Sequence, residues 1–231
     1  MIRHTLTALS LALLALPALA DTAPTPNAAS APPPPVWTPK DGDEIRFDVL
    51  RNGKPFGSHS VAFDLAADGT LTATTGVRLK AGLGPITVFR YELDATETWK
   101  QGQLVGLTGA VDDSGKDGSV EASRDGETLQ VKGTEYSGAV PLGILPSSHW
   151  NIAQTEATQL LSTEYGELIK VNVEDKGADT VMVGGQAVDA RRYMMDSDID
   201  VDLWYDDQGR WVKLAFEARG QQIEYALTQY Y

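Results

Sequence analysis

The chain has 231 residues, a formal net charge of −13 and no cysteine. A field of that sign repels nucleic acid and anionic membrane surfaces. The missing thiols exclude disulfides, a Cys-based metal site and a lipobox for a lipid anchor.

Residues 1–20 read as an export signal. Arg3 and His4 make a short basic start, Leu6 to Leu16 is an apolar run, and Ala18-Leu19-Ala20 is a small-x-small cleavage site before Asp21. A periplasmic or secreted protein is the expectation, with a charge of −14 once Arg3 is lost. No later stretch reaches the length of a membrane-spanning helix. Residues 21–40 hold seven of the twelve prolines, including Pro32 to Pro35, and read as a disordered, partly polyproline II linker. Residues 41–231 then suit a single β-rich domain with one core.

Along that domain, Ile45, Phe47 and Val49 alternate with polar residues, and Asn52-Gly53 marks a tight hairpin. The return strand runs from Lys54 to Leu65. Its apolar parity changes between Phe56 and Val61, which predicts a bulge near Gly57. Strands are expected over Thr70–Lys80, Ile86–Trp99 and Gln103–Val111, with a break at Gly82-Leu83-Gly84-Pro85. Asp112 to Gly118 reads as a polar loop before a hairpin of Ser119–Arg124 and Thr128–Lys132. Tyr136 to Pro146 reads as irregular. Trp150, Ala153, Ala157, Leu160 and Leu161 share one face at helical spacing, so one short helix is predicted over 147–162, capped by Ser147 or Ser148. Strands resume at Glu167–Glu174, Thr180–Val183, Ala187–Met195 and Gln222–Gln229.

The clearest pattern is Asp196 to Arg219. Asp196, Asp198, Asp200 and Asp202 alternate with apolar residues, a turn follows at Asp207-Gln208-Gly209, and a second strand begins at Arg210. A tight turn centred on Asp207-Gln208 would pair Leu203 with Val212, Val201 with Leu214 and Asp202 with Lys213. It would also set Trp204 opposite Trp211 on the Asp face, as a staple or as a platform for a flat ligand. The Asp row suits a solvated, partly charge-paired face. Its functional alternative is Ca²⁺, which takes six to eight oxygens, but Val201 stands where the loop pattern needs Gly.

The mature chain keeps two histidines, His59 and His149, and lacks H-E-x-x-H and G-x-S-x-G motifs. Candidate ligand contacts therefore gather at Pro146-Ser-Ser-His149-Trp150-Asn151, with Trp204 and Trp211. His149 is the candidate general acid or base, and a helix cap with core Trp150 is the plainer alternative.

Three blocks carry a resemblance: Phe47 to Gly57, Pro146 to Asn151, and Leu203 to Asp206 with Gly209 and Trp211. They resemble a group of uncharacterised exported bacterial β-proteins, classed as a domain of unknown function. The resemblance implies an architecture similar to the open barrels of periplasmic lipoprotein carriers, in which a curved sheet wraps a helix and holds an acyl chain. The resulting expectation is a mainly β domain: an antiparallel curved sheet forming an open or partly closed barrel, with one short helix packed against it. It reads as a binder of a lipid-like hydrophobic or amphipathic ligand, without cofactor or catalysis. The alternatives are an envelope hydrolase of glycans or esters, using His149 with Asp200 or Asp202, and a scaffold docking a basic partner on the Asp face.

Overall fold

The computed structural model describes residues 34–83 and 86–228. The expected export signal, residues 21–33 of the expected linker, the Gly84-Pro85 break and residues 229–231, into which the last expected strand runs, lie outside them. Residues 34–40, expected as linker, have no regular structure, yet they are held: Pro39 is buried and the Trp37 ring meets Phe63 edge-on at 5.3 Å.

The first half is a meander of eight strands: β1 (Glu44–Arg51), β2 (Lys54–Leu65), β3 (Leu71–Leu83), β4 (Ile86–Lys100), β5 (Gln103–Asp113), β6 (Lys116–Asp125), β7 (Thr128–Gly133) and β8 (Ser137–Pro141). Asn52 and Gly53 both take positive φ (49° and 72°), as a primed hairpin turn requires. The bulge falls where the parity change predicts it: Val49 faces Gly57 while Leu50 faces Pro55, leaving Phe56 as the extra residue. The stretch 112–118 is a loop no longer than Ser114-Gly115, since Asp112 pairs with Asp117 and Asp113 with Lys116. Nor is 136–146 irregular throughout, because β8 pairs with β7.

The second half is another meander: β12 (Asn172–Val183), β13 (Gln186–Asp196), β14 (Val201–Asp206), β15 (Trp211–Ala218) and β16 (Gln221–Leu227). Pairing of β16 with β1 joins the two into one antiparallel 13-stranded sheet, ordered β12-β13-β14-β15-β16-β1-β2-β3-β4-β5-β6-β7-β8. Edge strands β12 and β8 do not pair with each other, so the sheet is not closed.

Residues 142–171 connect those two edges. They carry β9 (Leu145–Pro146), β10 (Gln159–Leu161) and β11 (Leu168–Lys170) in a small second sheet ordered β11-β10-β9. This insert packs on the inner face of both meanders. Trp150 meets Trp99 and Phe63 edge-on at 5.5 and 5.2 Å on one side. On the other, Tyr205 donates to the His149 carbonyl at 2.7 Å. Glycines on the inner face make room for it: a Cβ on Gly109 would stand 2.0 Å from the Thr163 carbonyl oxygen, and one on Gly118 would stand 2.3 Å from the Tyr165 ring.

The expected helix over 147–162 is absent. A five-residue 3-10 turn, Ile152–Glu156, stands there instead, followed at once by β10. Asn151, not Ser147 or Ser148, caps it, its Oδ1 accepting from the Ala153 N–H at 3.0 Å. The apolar spacing misled because the segment is enclosed by the sheet. Leu160 and Leu161, adjacent in sequence, are both almost wholly buried, and periodicity loses its meaning where successive residues are covered on both sides.

The Asp-rich hairpin exists but differs in extent and register. Asp196 ends β13, residues 197–200 form the connection, and β14 starts at Val201. Leu203 faces Leu214 and Val201 faces Phe216, two residues from the expected register. One residue comes from the loop, which spans 207–209 because the Asp206 N–H donates to the Arg210 carbonyl. The other comes from a bulge between Trp204 and Tyr205. Beyond the bulge a two-residue slip keeps each side chain on its face, so apolar still meets apolar there, whereas Trp211, slipped by one, changes face. Asp202, however, lies opposite Ala215 rather than Lys213.

Candidate functional site

Of the expected site, the fold brings His149, Trp150, Asn151 and Trp211 together inside the sheet and leaves Trp204 outside. The bulge sends Trp211 inward, against Phe47 at 4.4 Å and His149 at 6.0 Å. Trp204 packs on the outer face, its Nε1 donating to Asp179 at 2.7 Å, with Arg192 and Lys213 over its ring. The Trp204–Trp211 platform therefore does not form.

The inward residues are occupied with one another. Glu97 of β4 is wholly buried, and its Oε2 accepts from both Trp99 and Trp150 indoles at 2.9 Å. Burial pushes its carboxyl above the ordinary range, against the pull of Ser148, Trp150 and Trp99. His149 sits at φ +64°, its Nδ1 3.0 Å from Gln154 Oε1. Gln154 Nε2 donates to the Tyr205 hydroxyl, which donates in turn to the His149 carbonyl. That cycle puts the imidazole proton on Nδ1, and burial holds the ring below its ordinary pKa. The partner of this ring is an amide, whereas a catalytic dyad needs an acid or a nucleophile. Asp202, the proposed acid, is forked to Arg192 at 2.8 and 2.9 Å.

Nor do the four aspartates converge. Asp196 closes β13, Asp198 and Asp200 are exposed in the connection, and Asp202 is paired. Among the described residues no group of three or more His, Cys, Asp or Glu side chains is placed to hold a metal ion.

What sequence reasoning missed lies one layer further along the interior. Cross-strand partners trace a continuous inward row: Tyr193, Leu203, Leu214, Tyr225, Val49, Gly57, Leu79, Tyr91 and Asp113. Beside it, toward the β3–β4 end of the sheet, lie Val201, Phe216, Ile223, Phe56, Ala81 and Phe89. Here the insert no longer covers everything: Val201, Phe216, Phe89 and Tyr91 are half-buried while their neighbours are buried. Phe56 and Phe89 stack at 5.5 Å, and Phe216 meets Tyr225 at 6.4 Å. From the insert, Glu164 faces Tyr91. Burial raises both groups above their ordinary pKa, and the Tyr91 hydroxyl partly offsets the rise at Glu164. The signal for this rim was aromatic residues near the strand ends flanking the Gly82–Pro85 break, whose shared inward parity becomes visible only once the register is known. Behind the row, His59 is buried between Phe47, Trp211 and Tyr225, and neither ring nitrogen has a partner among the described residues.

Residues 47–228 match the model of a domain of unknown function, DUF6134. The chain belongs to the DUF6134 family. That agrees with the expected group of uncharacterised β-proteins. No curated protein matches the chain in sequence. Among solved structures, it is similar to a β-barrel-like protein of domain of unknown function DUF1849 from Brucella abortus, with a TM-score of 0.57 and 8% identity. The match covers 80% of this chain and 95% of that one, and at such low identity it shows a shared fold alone. Among the described residues of this DUF6134 protein, no helix is long and apolar enough to cross a membrane.

Proposed function

We propose that this DUF6134 protein is a non-enzymatic periplasmic binder of a hydrophobic or amphipathic, lipid-like molecule, held at the open end of the sheet's inner face. The observation that carries this reading is the half-buried row of Val201, Phe216, Phe89 and Tyr91, continuous with buried Phe56 and Tyr225. Inward aromatic residues left partly uncovered beside a few polar groups are what a ligand site for an apolar body requires. The Glu164–Tyr91 pair stands at the edge of that row and suits a polar head group able to share a proton. The site lies away from Trp150 and Asn151, whose polar atoms are committed to the fold. The hydrolase reading gains no comparable support, because the His149 ring is bonded to Gln154.

Native mass spectrometry of protein purified from the periplasm, followed by organic extraction, tests the proposal directly. Uptake of the neutral fluorophore N-phenyl-1-naphthylamine gives a second readout. Phe216→Asp and Phe89→Asp place a charge on half-buried positions, so folding is retained while uptake weakens about 10-fold or more, a charge being poorly tolerated against an apolar ligand. No extracted mass together with no fluorophore uptake by the unaltered protein refutes the proposal.

A further inference from the structure

A second site lies outside that interior, beside β11. A cleft of about 540 Å³ is bordered by the whole of β11, by Glu167, and by Asp196 and Asp198 from the β13–β14 connection. The Val171 N–H donates to the Thr158 carbonyl, and the Ser162 N–H donates to the Glu167 carbonyl. In an antiparallel pair bonded residues alternate, so Glu167, Ile169 and Val171 turn their peptide groups toward β10. Leu168 and Lys170 turn theirs away. β11 is an edge of its sheet and pairs with β10 alone among the described residues, so the Leu168 and Lys170 peptide groups face away from any paired strand. The strand that would cover them is β13, which pairs with β12 as far as Asn172 and Asp196 and then stops. The cleft is therefore an unfilled strand position, with peptide donors and acceptors on one wall and carboxylates on the other.

We infer that this cleft takes an extended, basic segment of a partner protein as an added strand on β11. Main-chain bonds to Leu168 and Lys170 would supply the pairing, and Asp196, Asp198 and Glu167 would select cationic side chains. Two features carry the assignment. One is the uncovered edge of β11 along the cleft. The sign is set at short range: Asp196 and Asp198 are exposed, and one Glu167 carboxylate oxygen is buried without a partner among the described residues. Lys170, the cation on this wall, is itself exposed to solvent, which weakens its opposition to a cationic partner. A basic partner was expected on the Asp face of a strand. The structure moves that expectation to the connection where Asp196 and Asp198 stand, and this inference is independent of the lipid-like ligand proposed above.

The test is fluorescence anisotropy of a labelled Lys-Val-Lys-Val-Lys peptide against the full mature chain, with Glu-Val-Glu-Val-Glu as control. The basic peptide binds at least 10-fold more tightly than the acidic one and weakens as salt rises. The doubly neutralised Asp196→Asn/Asp198→Asn protein, altered at two exposed positions, loses about 5-fold or more. N-methylation of the peptide at alternate residues, in the phase that faces β11, abolishes binding, while methylation in the opposite phase does not. Equal loss in both phases, or binding of the two peptides with similar affinity, overturns strand addition. Concentration-dependent self-association of the unaltered protein that the Asp196→Asn/Asp198→Asn change abolishes would assign the cleft to a second copy of this chain and overturn the proposal as stated.

Discussion

Replacing Gly109 by alanine tests whether the 142–171 insert is seated in the sheet as described. Gly109 lies on the inner face of β5, opposite Ala95 and Val120. An added Cβ would stand 2.0 Å from the Thr163 carbonyl oxygen and 3.0 Å from a Val120 methyl. Ordinary contact needs about 3.4 Å or more, so the insert backbone would have to retreat by more than an ångström. Thr163 is 3% exposed and held by Ser147 on its other side, which leaves little room to yield. Overpacking of this kind costs typically 1–3 kcal/mol, and a backbone obstacle places it at the top of that range, about 3 kcal/mol. Gly106 on the same strand is the control, since its added Cβ would find the Thr98 side chain at 3.5 Å, an ordinary contact. Gly106→Ala should be neutral or stabilising by about 0.5 kcal/mol, because alanine loses less backbone entropy on folding. With a urea m-value of about 2 kcal/mol/M, Gly109→Ala lowers the unfolding midpoint by about 1.5 M, and Gly106→Ala leaves it in place. Coincident midpoints for the two variants would show that Thr163 does not rest on β5, and the account of the filled interior would fail.

Three further outcomes are expected. Burial, with His149 adding to it, lowers His59 from 6.5 to about 3. The unfolded chain therefore binds the proton more readily, and the contribution of a neutral His59 is complete above pH 6.5 and is lost as pH falls toward 3. His59→Phe, which suits the surrounding rings, should gain about 3 kcal/mol over the unaltered protein at pH 4 relative to pH 7; parallel urea midpoints at the two pH values would contradict this. Glu97→Gln keeps an oxygen for the two indoles and removes a carboxyl whose ionisation burial opposes, so it should change stability by less than about 1 kcal/mol. Glu97→Leu strands both N–H groups, at about 1–3 kcal/mol each, and equal thermal midpoints for the pair would refute the two-indole arrangement. Asp206 is 1% exposed; it accepts from the Gln208 and Arg210 N–H groups and pairs with the Arg210 guanidinium at 2.6 Å. Asp206→Ala leaves a buried cation without that carboxylate and should cost about 3–5 kcal/mol. A loss under 1 kcal/mol, read by urea unfolding, would mean that the loop does not depend on the pair.

The sequence by itself determined the β class, most hairpin turns and the inward faces of the strands. These rest on local chemistry: alternation with period two, and turns such as Asn52-Gly53, where both residues take positive φ. It also offered Trp150 as a core residue, which its burial and its bond to Glu97 match. Tertiary structure alone decided the rest. The 147–162 stretch has helical spacing but becomes a 3-10 turn and a strand, because Trp99, Phe63 and Tyr205, dozens of residues away, cover it from both sides. Beyond its bulge the Asp hairpin slipped by two residues, one from the loop and one from the bulge, a choice that local pattern cannot make because there the slip preserves each face. The slip takes Asp202 away from Lys213 and leaves it to Arg192 of β13, and the bulge turns Trp211 to the face opposite Trp204. The half-buried aromatic rim and the unfilled position beside β11 depend on where strands from distant parts of the chain stop, and strand ends are set by what packs against them.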